Sequence, residues 1–255
     1  MTRHRSPTAL LPLLLVTATV VAGCGSAPST ADTPGQVLVQ AAASLTDVFA
    51  SIETRFERAH PDVDIVVNVA GSQTLATQIV QGVPADVFAS ADEQQVAVVR
   101  RAGMVRGQPR VFATNRLAIA VAAGNPLGLH DLADLARDDI VVVLADPAVP
   151  AGQFAQQALD RAAVTLAPAS LEQDVRGVVS RIELGEADAG IVYVTDIISP
   201  AIRAVTIPPQ HNVSASYPIA LLAGSPNPDA AEMFVDYVLS ADGQEILADF
   251  GFGPA

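Results

Sequence analysis

The sequence predicts an α/β fold of two lobes, each a mostly parallel sheet flanked by helices, with a cleft between them. Three observations predict it. Apolar runs of strand length alternate with segments of helical period from Val37 to the C-terminus. The first two turns from strand into helix both end in serine, Ser44 and Ser72. Two α/β units are then followed by one more strand and two helices, so the chain crosses between lobes near Leu117 and returns near Tyr217. These crossings put residues 37–116 and 219–255 in the first lobe and 117–218 in the second.

Residues 37–43 read as a buried strand. Ser44-Leu45-Thr46-Asp47 opens a helix whose apolar positions Leu45, Val48, Phe49, Ile52 and Phe56 keep one face, and which ends near His60-Pro61. A serine followed three residues later by an acid resembles a capping box, with Asp in place of Glu or Gln. Residues 63–69 form the second strand, Ala70-Gly71-Ser72 the turn, and 74–81 a helix stopped by Gly82 and Pro84. A strand at 86–89, a helix at 92–101 and strands at 111–113 and 117–122 follow, until Asn125-Pro126 breaks the pattern. The second unit has a helix near 129–136, a strand at 140–144, a loop at 145–152 and a helix from Gln153. A helix at 175–184, strands at 190–194 and 217–223, and helices near 229–239 and 243–249 complete the chain.

The N-terminus has a different character. Met1 to Arg5 carry two arginines and no acid, an apolar run covers 9–21, and Val21-Ala22-Gly23-Cys24 follows. Residues 1–23 therefore read as a secretory signal peptide, too short in its apolar part to remain as a comfortable span. Small residues before Cys24 resemble the bacterial lipobox, which implies a lipid-modified Cys24 as the mature N-terminus, held on the outer face of the cell membrane. Residues 24–36, rich in Ser, Thr, Pro, Ala and Gly, form a flexible tether. With one cysteine in the chain no internal disulfide can form, so the fold rests on its core.

Charge excludes several partners. Without Arg3 and Arg5 the chain holds 12 basic side chains, all arginine, against 27 acidic ones, a formal charge of −15. Nucleic acid and anionic lipid headgroups need clustered positive charge, so neither is expected. Catalysis finds little support: His60, His130 and His211 stand in separate loops, without metal-ligand or nucleophile motifs around them. A secreted enzyme and a scaffold or adhesion module remain as rival classes.

Ser44 and Ser72 mark helix starts, where unpaired N–H groups and the positive end of the helix dipole favour an anion. Each serine can equally be an ordinary N-cap turned back on its own helix. Ala41-Ala42-Ala43-Ser44-Leu45-Thr46-Asp47 resembles the signature of the periplasmic molybdate-binding proteins of ABC importers. Four later stretches are similar to that family in the same order: Gly71 to Ala76 with Pro84 to Phe88, Asp146 to Gly152, Glu172 to Gly177, and Ala189 to Tyr193. The loop from Asp146 to Ala151 departs from it by one residue fewer.

The resemblance implies a type II periplasmic-binding-protein fold with the ligand cleft between the lobes. It implies Ser44 and Ser72 as hydroxyl and N–H donors, Ala151 and Val175 as backbone N–H donors, and Tyr193 as a phenolic donor to molybdate or tungstate. Molybdenum would be held only as the oxyanion, with no cation site and no cofactor. Delivery to a membrane permease by a monomeric protein is implied as well. Sulfate or another oxyanion is the alternative ligand.

Overall fold

The computed structural model describes residues 35–255, so the leader, Cys24 and nearly all of the tether lie outside the described residues. β1 (Gln36–Ala42) lies between β2 (Asp64–Ala70) and β3 (Val87–Ala89) and pairs in parallel with both. Parallel neighbours need crossovers, which α1 (Thr46–Ala59) and α2 (Ser72–Val80) supply. α1 buries Val48, Phe49, Ile52 and Phe56, the face that the sequence predicts. Phe49 and Phe56 set their ring edges against Phe234 at 6.1 and 5.4 Å, which pins α6 (Pro228–Leu239) over this side of the sheet. α3 (Glu93–Arg101) is capped by the Asp92 carboxylate, which accepts the Gln95 N–H.

β4 (Val105–Ala122) is one strand of 18 residues where the sequence predicts two. Gln108-Pro109 and Thr114-Asn115-Arg116 interrupt its apolar run, and bulges take up the irregularity while the ladder continues. Up to Arg116 it pairs with β9 (Ser214–Leu222); from Leu117 onward it pairs with β7 (Ala189–Tyr193) and β8 (Ile202–Thr206). β9 joins this ladder from Ser214, five residues ahead of the boundary at 219 predicted from the sequence. β5 (Val142–Ala145) lies between β6 (Ser170–Glu172) and β7, parallel to both, with α4 (Pro150–Arg161) and α5 (Val175–Glu183) packed on them. α7 (Ala241–Asp249) follows α6 and packs on α1.

Among the described residues the strand order is β2-β1-β3-β9-β4-β7-β5-β6, with β8 on β4. The outer ladders are parallel, whereas every ladder of β4 and β9 is antiparallel, so the sheet is mixed rather than mostly parallel. The helix predicted near 129–136 is only a 3-10 turn, Ala133–Ala136. Asp131 and Asp134 accept the N–H groups of His130, Asp131, Ala133 and Asp134, and those of Ala133 and Asp134 are the ones a helix begun at 129 would turn to its own backbone. α4 begins at Pro150, three residues early, because proline suits a first helical position. β6 and β8 escape the sequence pattern, being short and largely solvent-facing. No described helix is long and apolar enough to cross a membrane.

Candidate functional site

Four helix starts and one strand end meet at the carboxyl ends of β1, β5 and β7. Ser44 lies in the 3-10 turn Ala43–Leu45 between β1 and α1, and Ser72 is the first residue of α2. Ala151 follows Pro150 at the start of α4, Val175 opens α5, and Tyr193 ends β7. All five line one narrow cavity, together with Gly71, Ala91 and Asp174. It leaves about 10 Å³ for the centre of a water-sized sphere, room for one compact group and nothing extended. A larger groove of about 840 Å³ runs along Leu117, Ala118, Thr206 and Ser214 and contains none of the five residues.

Neither serine caps its own helix. Gly71 holds the cap position of α2, and the Ser72 hydroxyl instead accepts the Ala91 N–H at 3.1 Å. A hydroxyl that accepts in this way keeps its own proton to donate. Ser44 has its Oγ 2.9 Å from the Tyr217 hydroxyl. The expected Ser44–Asp47 capping box does not form, because α1 starts at Thr46 and Asp47 turns elsewhere. In the first turns of α4 and α5 the N–H groups of Ala151 and Val175 have no acceptor within their own helices. Val175 follows Asp174, whose carboxylate caps α5 by accepting the Gly177 N–H at 3.0 Å.

Tyr193 is buried to 1% exposure, and its hydroxyl, close to that of Tyr217, makes no full hydrogen bond among the described residues. Burial pushes its phenol well above the ordinary range, so it stays a neutral donor. Behind it, the fully buried Asp196 accepts the Tyr193 N–H at 3.0 Å, and its second oxygen is unpartnered. Burial pushes the Asp196 carboxyl up to about 7, against the partial opposing pull of the Arg176 charge and the Tyr193 N–H. Asn115, buried in β4, donates to Thr195 at 2.8 Å beside this group.

Contacts cross from β1-side elements to β5-side elements around the cavity. Asp47 pairs with Arg176 at 2.9 Å, Gln73 donates to the Gln173 carbonyl at 3.2 Å, and Gln153 donates to Gln94 at 3.1 Å. The Arg176 charge is thus engaged by a carboxylate, and the cavity wall offers hydroxyl and backbone donors. Among the described residues no group of His, Cys, Asp and Glu is arranged to hold a metal ion. Sequence reasoning missed Asn115, Tyr217 and Asp196. Two signals were available: an Asn in the polar break between two apolar strand runs, and an Asp three residues after Tyr193.

The family model described as bacterial extracellular solute-binding protein matches residues 37–253. The molybdate-binding protein ModA of Mycobacterium tuberculosis strain H37Rv is 40% identical over 96% of each chain. The periplasmic molybdate-binding protein of Azotobacter vinelandii superposes with a TM-score of 0.75 at 19% identity, over 86% of this chain and 99% of that one. The sulfate-binding protein SubI of Mycobacterium tuberculosis H37Rv gives a TM-score of 0.76 at 20% identity, over 86% and 87%. At those identities the two structures establish the shared fold.

Proposed function

The chain belongs to the bacterial extracellular solute-binding protein family, and from that premise we propose that it captures molybdate, and tungstate with it, for delivery to the membrane permease of an ABC importer. It works as a monomeric binding protein without catalysis or cofactor, anchored through lipid on Cys24 at the outer face of the membrane. Residues 37–116 and the segment after the return of the chain form one lobe, and the intervening segment forms the other. The partner change of β4 at Leu117 and the entry of β9 at Ser214 support that division.

The buried, unpartnered Tyr193 hydroxyl at the wall of a cavity ringed by helix starts carries this reading. Such a group is costly unless a ligand completes it. An oxyanion that accepts from Ser44, Ser72, Tyr193 and the N–H groups of Ala151 and Val175 does so, and it needs no buried cation to neutralise it. The homologous molybdate-binding protein supports the choice of anion.

Calorimetric titration with molybdate, tungstate and sulfate tests the reading. Molybdate and tungstate are expected to bind more tightly than the smaller sulfate. Ser72→Ala is expected to weaken molybdate by about 1 to 3 kcal/mol, roughly 5- to 150-fold, and to lower the melting temperature by a few degrees as well, because the buried Ala91 N–H loses its acceptor. Sulfate binding as tight as molybdate, or a Ser72→Ala protein that binds molybdate normally, would overturn it.

The half-exposed Asp47–Arg176 pair ties the two sides of the cleft together. Exposed pairs of this kind contribute up to about 1 kcal/mol, so Asp47→Asn is expected to speed release of bound molybdate by up to about 5-fold. Stopped-flow displacement by excess tungstate measures this, and an unchanged off-rate would deny the pair its closing role.

A further inference from the structure

We propose that Asn115 and Tyr217 are positioning residues that hold the Ser44 hydroxyl proton toward the cavity through a one-way chain of hydrogen bonds; this rests on the anion-binding reading above.

The direction of the chain follows from what each group can do. The Asn115 amide is oriented by its neighbour, since its oxygen accepts the Arg116 N–H at 2.9 Å. Its nitrogen therefore faces Thr195 at 2.8 Å and the Tyr217 hydroxyl at 3.4 Å. An amide nitrogen only donates, so the Tyr217 oxygen accepts there and must place its own proton elsewhere. Its other hydrogen-bond neighbour among the described residues is Ser44 Oγ at 2.9 Å; the Tyr193 hydroxyl stands near it without making a full hydrogen bond.

Tyr217 is completely buried, and stranding its proton would carry the penalty of an unmade buried hydrogen bond. Tyr217 therefore donates and Ser44 accepts. Ser44 has one proton, which must then point away from Tyr217, and Ser44 lines the cavity. The reverse polarity would leave the Tyr217 proton with only the poorly placed Tyr193 oxygen and turn a serine lone pair toward an anion.

The chain is held rigidly. The Tyr217 ring meets Phe112, Tyr193 and Phe252 edge-on at 6.2, 5.8 and 5.5 Å, so its hydroxyl cannot swing to another acceptor. Ser44 and Tyr217 are 173 residues apart in sequence, and no local turn chemistry accounts for their contact. Ser72 reaches the same state by a shorter route, accepting the Ala91 N–H and keeping its proton. Both serines are thus set as donors before any anion arrives, which reduces the ordering cost of binding.

A double-mutant cycle on Ser44→Ala and Tyr217→Phe tests the proposal, with Kd for molybdate, sulfate and phosphate and the melting temperature measured for each protein. Tyr217→Phe keeps the ring and removes the hydroxyl. It is expected to weaken the bound anion by about 3- to 10-fold in the wild-type background and by less than about 2-fold in the Ser44→Ala background. A merely structural effect would carry over equally to both backgrounds, and that result, or no loss at all, overturns the proposal.

Asn115→Asp gives a second route, because a carboxylate cannot donate and reverses the chain. A loss that is smaller once Ser44 is alanine supports the relay, and a loss independent of Ser44 counts against it. A wild-type protein that binds sulfate or phosphate but not molybdate overturns the assigned ligand, while the cycle run on the anion that binds still decides the relay. Binding of none of the three anions overturns both.

Discussion

Gly152→Ala is expected to lower the melting temperature by about 6 to 12 °C and to weaken molybdate more than about 10-fold. Gly152 is buried in the first turn of α4, where an added Cβ would collide with the carbonyl oxygens of Ala145 and Asp146. Both obstacles are backbone, so no side chain can swing aside. Overpacking of this kind costs about 3 kcal/mol, and each kcal/mol shifts a chain of this size by about 2 to 4 °C. The helix start can relieve the clash only by moving off the end of β5, which carries the Ala151 N–H away from the cavity. Thermal melts with a parallel titration measure both effects, and an unchanged melting temperature would show that α4 is not held so closely.

Asp196→Asn is expected to stabilise the protein increasingly as pH rises from 4 to 7. In the native state the carboxyl holds its proton up to about 7, whereas an unfolded aspartate releases it near the ordinary value of about 4. Below pH 4 both states are protonated and the group has no pH-dependent effect. Between 4 and 7 the native state binds more protons, so wild-type stability falls as pH rises. Above 7 the full penalty of a buried charge remains, about 4 kcal/mol from a gap of about three pKa units. The Tyr193 N–H can still be accepted by the asparagine oxygen, so the capping bond survives. The groups around this carboxyl are Tyr193 and Tyr217, the Arg176 cation, and the Asp47 and Asp174 carboxylates. Chemical denaturation at pH 5 and pH 8 measures the gap between the two proteins, and a gap independent of pH would remove Asp196 as the source.

The elements legible in the sequence were those whose own residues decide them. α1 shows its buried stripe of Val48, Phe49, Ile52 and Phe56, and β1 an apolar run broken only by Gln40. β8 was not legible because Ile-Arg-Ala-Val-Thr faces solvent at most positions, and only its ladder with β4 makes it a strand. The continuity of β4 through Asn115-Arg116 was hidden for the opposite reason: polar residues there serve a buried network rather than a loop. At the site, the serines could be read from their place after a strand. Ala151 and Val175 offer backbone N–H groups, which leave no mark in side-chain identity, so only the family likeness pointed to them. Tyr217 could not be placed near Ser44 without the pairings of β9, and the nearness of Asp196 to Tyr193 in the sequence did not say that its carboxylate turns back on the Tyr193 N–H.

The position of β9 also has a consequence for how the polypeptide acquires its shape. β3 meets β4 only through β9, which lies about a hundred residues further along the chain than the part of β4 it pairs with. Until that late segment is available, β1 to β3 cannot pair with the rest of the sheet, and one edge of β3 stays open to any passing strand. Closing so long a loop is entropically slow, so a nascent chain would remain an incomplete, adhesive species until β9 at Ser214–Leu222 arrives.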